Sequence, residues 1–176
     1  MMKGLSLSVL SLLKPDAAFR NIYNITPELL FKFGIKALVL DIDDTLIAKK
    51  SNIITKELIN WVYTFKENDI PIYIISNNFK KRVMPISDKL GVPFIYFALK
   101  PFPKGINKAR KIFKVTKKDV CIIGDQIFTD VISGKLAGVF TVLVDPISTS
   151  HSITIKLKRF LEKKIRRKLK YYDEYK

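Results

Sequence analysis

The sequence has very little cysteine or histidine: Cys121 and His151 are single occurrences in 176 residues. One thiol excludes an intrachain disulfide, and one imidazole beside it makes a structural zinc site untenable. This usage fits a reducing, intracellular setting. Acidic residues are also scarce, with 16 Asp and Glu against 32 Lys and Arg, a net charge of +16. The imbalance does not choose a fold, but it favours an anionic partner: nucleic acid, a phosphate-bearing substrate or an acidic membrane face. Long apolar runs are missing too. The longest weakly polar stretch, Gly4 to Leu13, is ten residues long, contains three serines and stops at Lys14-Pro15. A spanning helix needs roughly 18 apolar residues. No small-x-small cleavage pattern follows, so a short N-terminal helix, packed on the domain or lying on a membrane, is expected in place of a secretory leader.

What is present reads as one compact α/β domain, since 48% of the side chains are hydrophobic and 27% charged. Short apolar runs at 37–41, 71–76, 94–97, 120–124 and 141–144 are expected as strands buried on both faces. Helical periodicity falls between them, at about 55–68, 80–90, 105–114 and 130–137, with Thr55 as an N-cap and Gly91 as a stop. Strands separated by single helices imply parallel pairing, right-handed crossovers and three layers. Cys121 lies inside an apolar strand and is expected as inert core. Residues 1–35 are expected as a helical extension packed on a domain covering 1–150. The remaining 26 residues carry ten Lys or Arg and three acidic residues, a charge of +7. Leu157, Leu161, Ile165 and Leu169 recur there every fourth residue, which predicts a basic amphipathic helix over 151–176. His151, at its start, is given no catalytic role.

In an open α/β sheet, ligands bind beyond the carboxyl ends of the strands, and the polar residues of this chain cluster there. Strand one ends in Asp41-Ile42-Asp43-Asp44-Thr45 and strand two in Ser76-Asn77-Asn78. Lys100-Pro101-Phe102-Pro103 follows strand three, and strand four runs into Gly124-Asp125-Gln126-Ile127-Phe128-Thr129-Asp130. One carboxylate in such a place is ordinary turn chemistry. Several converging on one edge cost several kcal/mol in repulsion and desolvation unless an ion or a phosphate offsets it.

These four segments, DxDxT, Ser, KPxP and GDxxxxD, resemble the four motifs of the haloacid dehalogenase (HAD) superfamily of phosphohydrolases, in its class IIIA variant. The stretches Ile25–Leu30, Asp41–Leu46 and Gly124–Val131 are similar to those of the YqeG-type family, a group that includes mitochondrial phosphatidylglycerophosphate phosphatases. The one local departure is Asp44, where relatives often have Asn. The resemblance implies an α/β HAD-like Rossmannoid fold with a central, mainly parallel five-stranded sheet. It implies Asp41 as the nucleophile that takes the phosphoryl group, and Asp43 as general acid and then base. A hard divalent cation, Mg2+, is expected to be held by the Asp41 side chain, the Asp43 carbonyl and the Asp125 side chain. Ser76 and the Asn77 amide are expected to hold phosphoryl oxygens and Lys100 to neutralise their charge. Asp130 is expected to support from behind, or to act only as a helix N-cap, and Thr45 to position the loop or the phosphate.

Spacing bears on the substrate. The 32 residues between Asp43 and Ser76, and the 23 between Ser76 and Lys100, are filled by one helix and one strand each. A separate cap domain of roughly 50 residues has no room. An open site admits a phosphate projecting from something large. With the +7 tail as an anchor on an anionic membrane, the expected function is Mg2+-dependent dephosphorylation of phosphatidylglycerophosphate by a peripherally membrane-associated cytoplasmic protein, on the matrix side in a mitochondrion. The alternatives are a phosphatase for soluble sugar or nucleotide phosphates and a basic nucleic-acid-binding protein with a vestigial site. Nucleic acid is disfavoured because aromatic and basic residues do not interleave as single-strand binders require.

Overall fold

A computed structural model of the chain describes residues 11–49, 51–148 and 162–174. The expected N-terminal helix over Gly4–Leu13 lies largely outside the described residues, as do His151, Leu157 and Leu161 of the expected tail helix.

Six strands form one wholly parallel sheet: β1 (Ala17–Phe19), β2 (Ala37–Leu40), β3 (Ile72–Ile75), β4 (Phe94–Ile95), β5 (Val120–Gly124) and β6 (Phe140–Val144), in the order β1-β6-β5-β2-β3-β4. The expectation of five strands is corrected by β1. Ala-Ala-Phe is too short and too small to announce a strand, yet it pairs Ala17 with Val142 and Phe19 with Val144. Part of the expected N-terminal helical extension is therefore a sheet edge. A short helix, α1 (Pro27–Lys32), follows, capped by Thr26 and started by a proline whose missing N–H is no loss there.

The remaining helices are α2 (Lys56–Glu67), α3 (Lys80–Leu90), α4 (Lys104–Phe113) and α5 (Ile132–Ala137). Thr55 caps α2, its Oγ accepting from the Leu58 N–H at 3.1 Å, and Gly91 ends α3 at φ 60°. Strand pleating sends alternate residues to opposite faces. Leu38 and Leu40 meet Leu58, Trp61 and Phe65 of α2 on one face; Ala37 and Val39 meet Ile106 and Ala109 of α4 on the other. Burial on both faces explains why the strands read as continuous apolar runs. Cys121 is fully buried in β5 and its thiol is pushed well up by that burial.

The described tail is helical only over 162–166 and ends in a 3-10 turn at Tyr172–Glu174, so the expected continuous helix to residue 176 is interrupted. Its apolar side is already occupied. Ile165 and Leu169 pack against a cluster of Ala18, Ile127, Val131, Leu143 and Tyr171. Tyr171 donates to Asp145 at 3.0 Å and its ring lies 3.7 Å beneath the Arg20 guanidinium. Tyr171→Ala should cost about 3 kcal/mol, the usual loss for a buried aromatic, read as a lower urea midpoint at unchanged slope. An unchanged midpoint would show that the tail is not docked.

Candidate active site

The four polar strand ends meet above β2, β3 and β5. Parallel strands end on the same edge, and β2 lies between β3 and β5, so residues far apart in sequence become neighbours. Asp41, Asp125 and Asp130, all buried, offer carboxylate oxygens within 4.8 Å of one another. Lys100 reaches in from the loop after β4, its Nζ donating to Asp41 Oδ1 at 2.5 Å and to Asp130 Oδ1 at 2.6 Å. Burial pushes the Asp41 carboxyl up to about 7, with Lys100 opposing and Asp130 and Asp43 adding. Burial works to lower the Lys100 pKa, but Asp130 and Asp41 outweigh it, so the lysine stays an ammonium.

Three buried carboxylates against one ammonium leave a charge of about −2 if all ionise, and each buried ion costs several kcal/mol unpaired. An all-oxygen donor set of this charge fits a hard divalent cation. The side chains brought together are Asp41, Asp125 and Asp130; sequence reasoning placed Asp130 behind the site, and the fold puts it inside the cluster. Asp130 is held by the Gln126 N–H at 3.1 Å and sits within a π-turn, Ile127–Val131, that precedes α5. Gly124 makes this possible, because a Cβ there would collide with the Asp130 carboxyl carbon.

The Asp43 side chain turns elsewhere. Arg82 of α3 grips its Oδ1 from Nη2 at 2.8 Å and Nε at 3.2 Å, and Asn78 donates to its Oδ2. Arg82 also donates to the Ser51 carbonyl at 2.6 Å, so it joins α3 to the segment after β2. The Thr45 hydroxyl donates to Asp125 Oδ1 at 3.3 Å. Ser76 Oγ accepts from the Asn78 N–H at 3.1 Å. Asn77 brackets Lys100, its Nδ2 donating to the lysine carbonyl at 2.9 Å and its Oδ1 accepting from the lysine N–H at 2.7 Å. Asp44 takes a left-handed conformation at φ 64°, which Asp and Asn tolerate. Its carboxylate accepts from the Lys49 N–H and the Ser148 hydroxyl, tying the loop to the end of β6.

The sequence missed three residues. Arg82 was not among the candidates. Glu162 and Arg166 looked like the polar face of a basic helix. Glu162 is fully buried, its carboxyl raised by that burial, and it accepts from the Phe128 N–H at 3.1 Å. Arg166 donates to the Asp125 carbonyl and, at 2.9 Å, to Asp145 Oδ1. The tail thus braces the loop that carries Asp125 and Asp130. A glutamate and an arginine one helical turn apart, each next to a residue of the apolar stripe, were the available signal.

Burial raises the Asp41 pKa from the ordinary 3.8 to about 7 in the folded protein. Its stabilising contribution is therefore present at low pH and fades as pH rises through that window. A cation must displace the proton, so its affinity rises over the same range. A Mg2+ titration followed by thermal shift should show roughly tenfold or greater tightening from pH 5.5 to 7.5; a pH-independent midpoint would remove Asp41 as a ligand. Gly124→Ala, with a Cβ driven into Asp130, should lower hydrolysis of a soluble phosphomonoester by about 100-fold while the protein stays folded by circular dichroism. Wild-type turnover would show that the cluster tolerates displacement.

The sequence profile of the family described as "Mitochondrial PGP phosphatase" matches residues 5–148. The "Probable phosphatase YqeG" of Bacillus subtilis (strain 168) is 39% identical over 156 residues, covering 89% of this chain and 91% of that protein. The "Phosphatidylglycerophosphate phosphatase 1, chloroplastic/mitochondrial" of Arabidopsis thaliana is 25% identical over 143 residues, covering 76% of this chain and 41% of that one. Among solved structures, the deoxy-D-mannose-octulosonate 8-phosphate phosphatase of Haemophilus influenzae in its cobalt-bound form superposes with a TM-score of 0.54 at 17% identity, over 72% of this chain and 75% of that chain. That likeness concerns the fold.

Proposed function

The chain belongs to the mitochondrial PGP phosphatase family, a HAD-type group of phosphomonoester hydrolases, and on that premise we propose that it dephosphorylates phosphatidylglycerophosphate at a membrane surface through an aspartyl-phosphate. The observation that carries the chemistry is the meeting of Asp41, Asp125 and Asp130 with Lys100 at the strand ends. In this reading Asp41 attacks the phosphorus and the bond to the leaving oxygen breaks. Asp43 gives that oxygen its proton, then takes one from the water that hydrolyses the aspartyl-phosphate, releasing inorganic phosphate and restoring Asp41.

Asp43 would have to exchange its hydrogen bonds with Arg82 and Asn78 to perform these two duties. The Ser76 hydroxyl and the Asn77 amide bind phosphoryl oxygens, and Lys100, set by the Asn77 side chain, neutralises charge growing on them. Asp130 orients Lys100, and Thr45 orients Asp125. Mg2+, held by the Asp41 and Asp125 carboxylates and the Asp43 carbonyl, would offset repulsion between nucleophile and phosphate dianion; Asp130 stands close enough to share it.

Single helices, α2 and α3, link β2 to β3 and β3 to β4, and among the described residues no second domain covers the strand-end edge, which supports a large substrate. No helix among the described residues is long and apolar enough to cross a membrane, so the proposed association is peripheral. The exposed Lys163, Lys164, Arg167, Lys168 and Lys170 of the tail would supply electrostatic attraction to anionic lipid, each worth about 1 kcal/mol near the surface.

With Mg2+ in mixed micelles, kcat/KM for phosphatidylglycerophosphate should exceed that for sugar or nucleotide monophosphates by at least about tenfold. Faster turnover of the soluble esters would refute the lipid assignment while leaving the hydrolase intact. Asp41→Asn should reduce kcat by about a thousandfold or more without unfolding the domain, and retained activity would displace Asp41 as nucleophile.

A further inference from the structure

Large apolar side chains are exposed on the lip of the site. The loop after β3 presents Phe79, 72% exposed, and the loop after β4 presents Tyr96, Phe97, Leu99 and Phe102, at 47, 54, 47 and 66%. These residues flank groups already placed in the chemistry: Phe79 follows Asn78, and Leu99 and Phe102 surround Lys100. The Phe97 N–H donates to the Asn78 carbonyl at 2.9 Å and the Ala98 N–H to the Ser76 carbonyl at 2.9 Å, which fastens the two loops together. The Phe79 and Phe97 rings stack at 6.0 Å.

The backbone argues that this exposure is not incidental. Phe97 and Leu99 stand at φ 48° and 56°, a left-handed region that costs a bulky side chain about 1–2 kcal/mol and that Gly or Asn fills more easily. Two large apolar groups are kept outward there while Ala98 between them is buried. The surroundings are cationic. Between Asp69 and Asp119 the chain has twelve Lys or Arg and one acidic residue, Asp88, and Lys80, Lys81, Lys104 and Lys108 are exposed next to the apolar group.

We propose that this rim, Phe79, Tyr96, Phe97, Leu99 and Phe102, is the surface that seats the site on an anionic lipid bilayer, the apolar side chains entering the headgroup–acyl boundary and the lysines meeting lipid phosphates. It rests on the lipid reading above, and it moves the inserting surface away from the described part of the tail, where Ile165 and Leu169 pack on the domain. Exposed apolar side chains with exposed lysines close by in sequence match the two attractions of an interfacial anchor. A single-stranded nucleic acid fits less well, because aliphatic Leu99 offers no ring for a base to stack on.

The test uses the full chain and vesicles of phosphatidylglycerol mixed with phosphatidylcholine. The double variant Phe79→Ser, Phe102→Ser should partition at least about tenfold more weakly while hydrolysing p-nitrophenyl phosphate within about twofold of wild type. The emission that Phe102→Trp adds to that of the buried Trp61 should move to the blue on vesicles and be quenched by brominated phosphatidylglycerol. Wild-type partitioning by the double variant, an added indole emission that vesicles leave unmoved, or absent vesicle binding by the parent protein would each overturn the rim. If the double variant lost RNA binding or self-association while vesicle binding stayed unchanged, the rim would be reassigned to those partners. Rim-dependent vesicle binding without hydrolysis of phosphatidylglycerophosphate would sustain the rim and reject the substrate; hydrolysis in mixed micelles that ignores the rim variants would do the reverse.

Discussion

Three aspartates cannot lie buried within 4.8 Å of each other without something to hold their charge, and much of the surrounding structure can be traced to that requirement. Lys100 answers part of it by bonding two of the three. The lysine in turn needs a defined position, which Asn77 supplies through its two hydrogen bonds. Burial raises Asp41 far above an ordinary aspartate, so a cation binding there would compete with a proton. A divalent ion binding there would be held more tightly as that proton leaves.

Rigidity around the cluster comes from unrelated parts of the chain. Gly124 lets the Asp130 carboxyl approach β5, the π-turn at Ile127–Val131 aims it, and Asp44 pins its loop to the end of β6. Arg82 draws α3 against the loop of Asp43. From the far end of the sequence, Arg166 and Glu162 close on the Asp125 carbonyl and the Phe128 N–H. A tail that reads as a detachable basic appendage is thereby part of the frame of the site. Its outward lysines keep their charge available to an anionic surface.

The charge distribution follows the same logic. Acidic residues are few, and those at the strand ends are consumed by the cluster and its supports, while the loops after β3 and β4 are cationic and apolar. A phosphate dianion approaching that edge meets a positive field before it meets the carboxylates.

The sequence by itself determined the sheet core and which polar residues gather at the strand ends, because both depend on local order: apolar runs that fit strands buried on both faces, and polar residues at their carboxyl ends. It placed Thr45, Ser76, Asn77 and Lys100 at strand ends for the same reason, since parallel strands deliver their ends to one edge, and the structure joins Asn77 to Lys100 and Thr45 to Asp125. Only the tertiary structure decided which way each side chain faces there. Asp43 turns to Arg82 because α3 packs beside it, and Asp130 enters the cluster because a π-turn redirects it. The strand β1 exists only through pairing with β6, as a run of three residues carries no period of its own. Glu162 and Arg166 acquire their roles only when the tail docks, through contacts across 34 and 41 residues of sequence whose partners no local pattern encodes.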